Sequence, residues 1–133
     1  MTARRFTVEE AQALLDSEVA ALAERLVALR ARARPLELRW RRHIVAVGSN
    51  GGGIAPTEVR ALHDELEGLT EESREILATI TVLGVQVKDP DRGLLDFPAE
   101  IEGGDALLCW EVGEPRIEFW HRPEDGYAGR RPL

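Results

Sequence analysis

Two apolar ladders separated by a run of three glycines limit what this chain can fold into more than any other feature. In the first ladder Val19, Leu26, Ala33, Trp40 and Val47 recur at intervals of seven, with Val8, Leu15, Leu22, Leu29 and Leu36 offset from them by three. The second runs Val59, Leu62, Leu66, Leu69, Ser73, Ile76, Ile80 and Leu83. Alternating steps of three and four line up apolar side chains along one side of a helix, as in a heptad seam. Between the ladders, Gly48-Ser49-Asn50-Gly51-Gly52-Gly53 breaks the first helix, and Pro56 followed by Thr57 and Glu58 makes a good first turn for a second. Two such helices joined by a short glycine loop predict a long antiparallel, coiled-coil-like helical hairpin.

The first helix has a clear start. Thr7 and Glu10 form a capping-box pattern, with Phe6 before it in the staple position. Pro35 removes a hydrogen-bond donor but keeps the phase of the ladder, which predicts one helix kinked near Ala31 to Pro35 rather than two helices. At about 1.5 Å per residue the first helix spans roughly 60 Å and the second roughly 42 Å. The first turns of the longer helix should therefore overrun the shorter one and cover whatever follows.

Charge follows the hairpin. Seven arginines (Arg25, Arg30, Arg32, Arg34, Arg39, Arg41 and Arg42) share their stretch with one acid, Glu37, whereas six glutamates and Asp64 outnumber Arg60 and Arg74 between Glu58 and Glu75. An antiparallel hairpin sets these two stretches side by side, and each sign suits its own helix terminus. The competing reading is RNA or ribosome contact through Arg30, Arg34, Arg41 and Arg42, with the nearby acids acting against it. A net charge of −7 argues against nucleic-acid binding by the surface as a whole.

Beyond Leu83 the period falls to two. Val85 and Val87 alternate with Gln86 and Lys88, and Asp89-Pro90-Asp91-Arg92-Gly93 turns the chain. Leu94 to Phe97 reads as a second strand ended by Pro98, Ile101 to Asp105 as loop, and Ala106 to Val112 and Arg116 to His121 as two more strands. The fold class is α+β: the helical hairpin, residues 7–83, followed by a small antiparallel β-meander of three to four strands with a docked tail, residues 84–133, in a single domain. The length, 133 residues, suits one domain with a real core. No apolar run is long enough to span a membrane, Met1 to Phe6 lack the apolar segment of a secretory signal, and the lone cysteine fits a reducing compartment, so a cytoplasmic location is expected.

Chemistry concentrates in the last forty or so residues. Asp96 is a carboxylate between Leu95 and Phe97, where strand structure disfavours aspartate, and His121 closes the last strand. Oxygen and imidazole ligands of this kind suit a divalent metal or an acid–base pair, so Asp96 and His121 are the candidate metal ligands. The wider candidate pocket adds Trp110, Glu111, Glu114, Tyr127 and Arg130, with Asp125 as a further carboxylate. Gly126 and Gly129 bracket Tyr127 ahead of Arg130 and Arg131, an arrangement able to hold a small anionic ligand and expected to bring Arg130 towards Asp96 or His121. Packing is the alternative for each: His121 as a satisfied core histidine, Asp96 as a turn cap or arginine partner, Cys109 as a buried strand residue, Trp110 and Trp120 as core aromatics. The glycine loop is no P-loop, since it follows a helix and lacks Gly-Lys-Ser/Thr, and His43 with His63 has no assigned acidic partner.

Arg5-Phe6-Thr7-Val8-Glu9-Glu10-Ala11, Ser49-Asn50-Gly51-Gly52-Gly53, Lys88-Asp89 with Arg92 through Pro98, Leu108-Cys109-Trp110 with Gly113-Glu114, and Trp120-His121 with Gly126 through Arg130 cover nearly the whole chain. In these motifs the sequence resembles the uncharacterised bacterial family called domain of unknown function 2203. The resemblance implies no activity. Three functions stay open from the residues alone. One is an interaction module that forms a homodimer through Leu29, Leu36, Trp40, Leu62 and Leu66. Another is a metal- or anion-dependent site, hydrolytic in one version, built from Asp96, His121, Arg130 and one of Glu111, Glu114 or Asp125. The third is RNA contact.

Overall fold

A computed structural model of the chain describes residues 4–48 and 52–133. Ser49, Asn50 and Gly51, expected within the loop that breaks the first helix, lie outside the described residues. The fold is α+β. A helix α1, Val8–Leu14, passes through one turn of π-helix, Leu15–Val19, into α2, Ala20–Gly48, and a helix α3 occupies Pro56–Val82. Five strands follow: β1 Gln86–Asp89, β2 Leu94–Ile101, β3 Gly104–Glu111, β4 Phe119–His121 and β5 Arg131–Pro132. They form one antiparallel sheet in chain order.

The capping box forms as expected. Thr7 Oγ1 accepts from Glu10 N at 3.1 Å, and Glu10 Oε1 accepts from Thr7 N at 2.9 Å. Phe6 packs edge-on against Phe97 with ring centroids 5.5 Å apart, and its N–H donates to the Pro98 carbonyl at 2.7 Å. The first turns of the long helix thus cover the sheet, as the excess length required. Ala11, Leu15, Val19 and Ala23 are buried in one cluster with Leu95, Phe97, Leu108 and Trp110. Steps of four drift around an ordinary 3.6-residue helix, and the π turn widens it enough to hold this run on one side. It also changes the ladder's phase beyond it, so that Leu22 is half-buried and Ala23 takes the core position; at the helix start, ahead of the turn, Val8 is exposed and Ala11 buried. Pro35 lies inside α2, which continues past it as helix.

Helix α3 runs back along α2. Arg25 pairs with Glu72 at 2.6 Å and Arg32 with Glu65 at 3.7 Å, positions that ascend in one helix and descend in the other. Leu26, Leu29 and Ala33 are buried on α2, facing a buried row of Leu62, Leu69, Ser73, Ile76 and Ile80 on α3. Ser73, the polar member, satisfies itself by donating to the Leu69 carbonyl at 2.8 Å. Among the described residues the predicted charge pairing across the hairpin holds for Arg25 and Arg32. Arg30 instead bonds Glu37 of its own helix and Asp91 of the β1–β2 turn, at 3.0 and 2.9 Å.

The sheet departs from expectation in three places. Pro98 does not end β2, which continues to Ile101. Strand β1 pairs with β2 only as far as Asp96, and the Pro98 carbonyl points to that open edge, where Phe6 meets it, so the missing N–H costs β3 nothing. Residues 101–105 are a tight hairpin rather than a loop, because Glu102 and Gly103 take φ of 52° and 76°, the pair of positive values that suits the strand twist. The fourth strand shrinks to Phe119–His121, since Pro115 has no N–H and Ile117 gives its own to Gln12 Oε1 at 2.9 Å. The tail adds a fifth strand: Arg131 lies opposite Trp120, and Pro132 opposite Phe119. No helix among the described residues is long and apolar enough to cross a membrane.

Candidate functional site

Alternation along β2 and β3 splits the sheet's residues between two faces. Leu95, Phe97, Leu108 and Trp110 point to the helices. Leu94, Asp96, Leu107 and Cys109 therefore point the other way, and β4 adds His121 there, opposite Leu107. The C-terminal turn crosses this second face, so Asp96 and His121 are only 2% and 3% exposed. A cavity of about 190 Å³ remains, bounded by Asp96, Cys109 and His121 within and by Lys88, Leu94, Leu107, Pro123, Gly126 and Tyr127 around them.

Cys109 lies directly across from Asp96, and its short side chain leaves His121 room to reach diagonally over β3. Imidazole Nε2 stands 3.1 Å from both Asp96 oxygens, and Nδ1 stands 2.8 Å from the Arg122 carbonyl. A carbonyl only accepts, so Nδ1 carries a hydrogen and donates it. On the opposite side a carboxylate faces Nε2, and a neutral ring with its hydrogen at Nδ1 would present a lone pair to it. A proton or another cation between Asp96 and His121 would satisfy both facing acceptors. Donor atoms of Asp96, Cys109 and His121 all lie within 4.8 Å of one another. Burial first, and then the Asp96 carboxylate, push the Cys109 thiol up to about 12, so it is protonated at neutral pH.

The rest of the predicted pocket is divided. Tyr127 borders the cavity. Trp110 lies on the helix side of the sheet and donates to the Glu114 carbonyl at 3.1 Å. Glu111, at the end of β3, accepts two hydrogen bonds from the Arg92 guanidinium, at 3.0 and 2.8 Å. Arg130 does not reach Asp96 or His121. It bonds Glu114 at 2.7 and 2.9 Å and the Cys109 carbonyl at 3.4 Å, and stacks on Phe119 and Tyr127. Desolvation lowers its pKa, but the Glu114 hydrogen bond and neighbouring charges leave it raised overall. Asp125 meets Arg131 at 3.8 Å, outside the cavity. Two cavity residues with side chains able to act as a ligand or carry charge were not among the predicted site residues: Cys109, whose place beside Asp96 depends on strand register, and Lys88.

A family profile matches residues 4–133. The chain belongs to the uncharacterized conserved protein family DUF2203. No curated protein and no solved structure matches it.

The five proposed interface residues of the arm also separate. Leu29 and Leu62 are covered within the hairpin, while Leu36, Trp40 and Leu66 are half-buried. Near its tip the hairpin opens into a shallow groove of about 790 Å³ that includes Trp40, Val47, Ile54 and Val59. His43 and His63 flank the Trp40 ring at 5.8 and 6.0 Å, and Arg34, Arg39, Arg41 and Arg42 are exposed nearby.

Proposed function

We propose that the chain binds a divalent metal ion through Asp96, Cys109 and His121. The facing acceptors carry the reading: Nε2 and a carboxylate, nearly sealed from water, would both be satisfied by a cation between them, and a thiol stands beside the gap. The Nδ1–H to carbonyl bond is the support that orients a metal-binding imidazole. One oxygen, one sulfur and one nitrogen donor suit zinc or another borderline ion, with a fourth position left towards the cavity. Binding would release the Cys109 proton, because a thiolate is the ligand. An ion with an open position can also polarise a bound water, which is the route to a hydrolytic role. The test is native mass spectrometry with elemental analysis of protein purified without chelator, in a reducing buffer that suits the expected cytoplasmic location. One ion per chain is expected, lost in Asp96→Asn. If the protein carries none, and neither zinc nor cobalt(II) moves its melting temperature, the bridging cation is a proton and the proposal fails.

A second reading makes the arm a coiled-coil docking element that self-associates. The open groove at the tip supports it, because Trp40 is half-buried beside exposed Ile44 and Val47. A two-fold pairing of tips would bring the same patch from both copies together. Light scattering should give a dimer that Val47→Glu dissociates; a monomer at high concentration excludes this reading.

A further inference from the structure

We infer that the fourth ligand of the Asp96–Cys109–His121 site is a small organic or inorganic oxyanion, held on its far side by the Lys88 ammonium. This rests on the metal reading above and extends it to a ligand class. Charge comes first. A divalent ion held by the Asp96 carboxylate, a Cys109 thiolate and a neutral imidazole leaves the first shell with no net charge. Lys88 then adds one positive charge at the cavity wall, and among the described residues it has no ion-pair partner. A singly charged anion between ion and the exposed Lys88 ammonium meets opposite charge on both sides, which a neutral water does not.

Space agrees with this. At about 30 Å³ per water, a cavity of about 190 Å³ holds roughly six waters, or one small carboxylate with a short apolar body. Leu94, Leu107 and Pro123 give such a body an apolar wall. Lys88, Leu107 and Pro123 also border a second cavity of about 300 Å³, which runs on towards Arg5 along Pro98 and Ala99. Arg5 is already neutralised by Glu100 and Asp105, at 3.0 and 2.6 Å. Along this groove Lys88 is accordingly the cation with charge to offer.

The experiment uses the full chain loaded with cobalt(II), whose visible bands report its ligands, titrated with sodium acetate at constant ionic strength against a sodium chloride control. The bands should shift saturably with acetate and not with chloride. Lys88→Met, an exposed substitution that leaves the metal ligands in place, should still bind one cobalt but require about three- to tenfold more acetate. Unmoved bands on a stoichiometrically loaded protein, or identical titrations for the variant, overturn the anion site while leaving the metal site standing. Failure to bind cobalt removes both.

Discussion

Replacing Asp96 in the metal-free protein should separate two variants that look similar on paper. Neither Asp96 nor His121 has a side chain more than 3% exposed, so solvent screens neither partner. Asp96→Ala leaves His121 with its Nδ1–H committed to the Arg122 carbonyl and nothing opposite Nε2. Breaking a buried pair by removing one side costs about 3–5 kcal/mol, a large share of a total stability of about 5–15 kcal/mol. Asp96→Asn keeps the shape and supplies an amide N–H that donates to Nε2 of a neutral ring. Its cost should stay near a single net hydrogen bond, about 1 kcal/mol. Urea unfolding followed by circular dichroism, with chelator present, reads both as shifts of the midpoint at a common slope. Equal losses for Ala and Asn, or a loss under about 1 kcal/mol for Ala, would refute the account of a buried pair bridged by one positive charge.

Three other expectations leave Asp96 and His121 unchanged. Gly93 has φ of 66°, and a side chain there would overlap Val112 and lie 2.9 Å from Val27, so Gly93→Ala should lower stability by about 2–4 kcal/mol in the same unfolding assay. With the Cys109 thiol raised to about 12 by burial and by Asp96, iodoacetamide at about pH 8 should leave it unmodified in the folded metal-free protein and label it promptly in urea; fast labelling without urea contradicts this. Hydrogen bonds from the Thr7 backbone and then the Thr7 side chain hold Glu10 below its ordinary 4.5. A depressed carboxylate stabilises the fold above 4.5 and loses that contribution as pH falls through its folded value, so Glu10→Gln, which removes the titrating group, should flatten the acid limb of the stability–pH curve.

Apolar spacing was enough to read the hairpin and the overhang of the first helix, because both depend on which residues seek burial. Asp96 and His121 were legible for the opposite reason: a carboxylate in an apolar strand and a histidine closing one both need partners. That they belong to one site was read from the residue types as a shared metal or an acid–base pair, but their direct contact was not legible. It depends on a register that leaves Cys109 beneath the bridging imidazole, and one residue of slip would put these side chains on the other face. The sequence around Arg130 suggested a cation for the pocket, yet Glu114 holds it, since the 112–118 segment folds back onto Gln12 instead of extending β4. Leu22 fits its ladder and still misses the core, because a widened turn ahead of it changes phase without altering composition.

That widened turn also decides where the arm points. A π turn takes more residues to complete than the 3.6 of an ordinary helix, so forcing Leu15–Val19 into regular α-helix with no residue removed would rotate everything beyond it relative to the sheet. The arginines of the distal half would then face a different way, and α3 could not return to the strand it precedes. Five residues with no chemistry of their own thus act as the hinge pin that sets the direction of an arm many times their length.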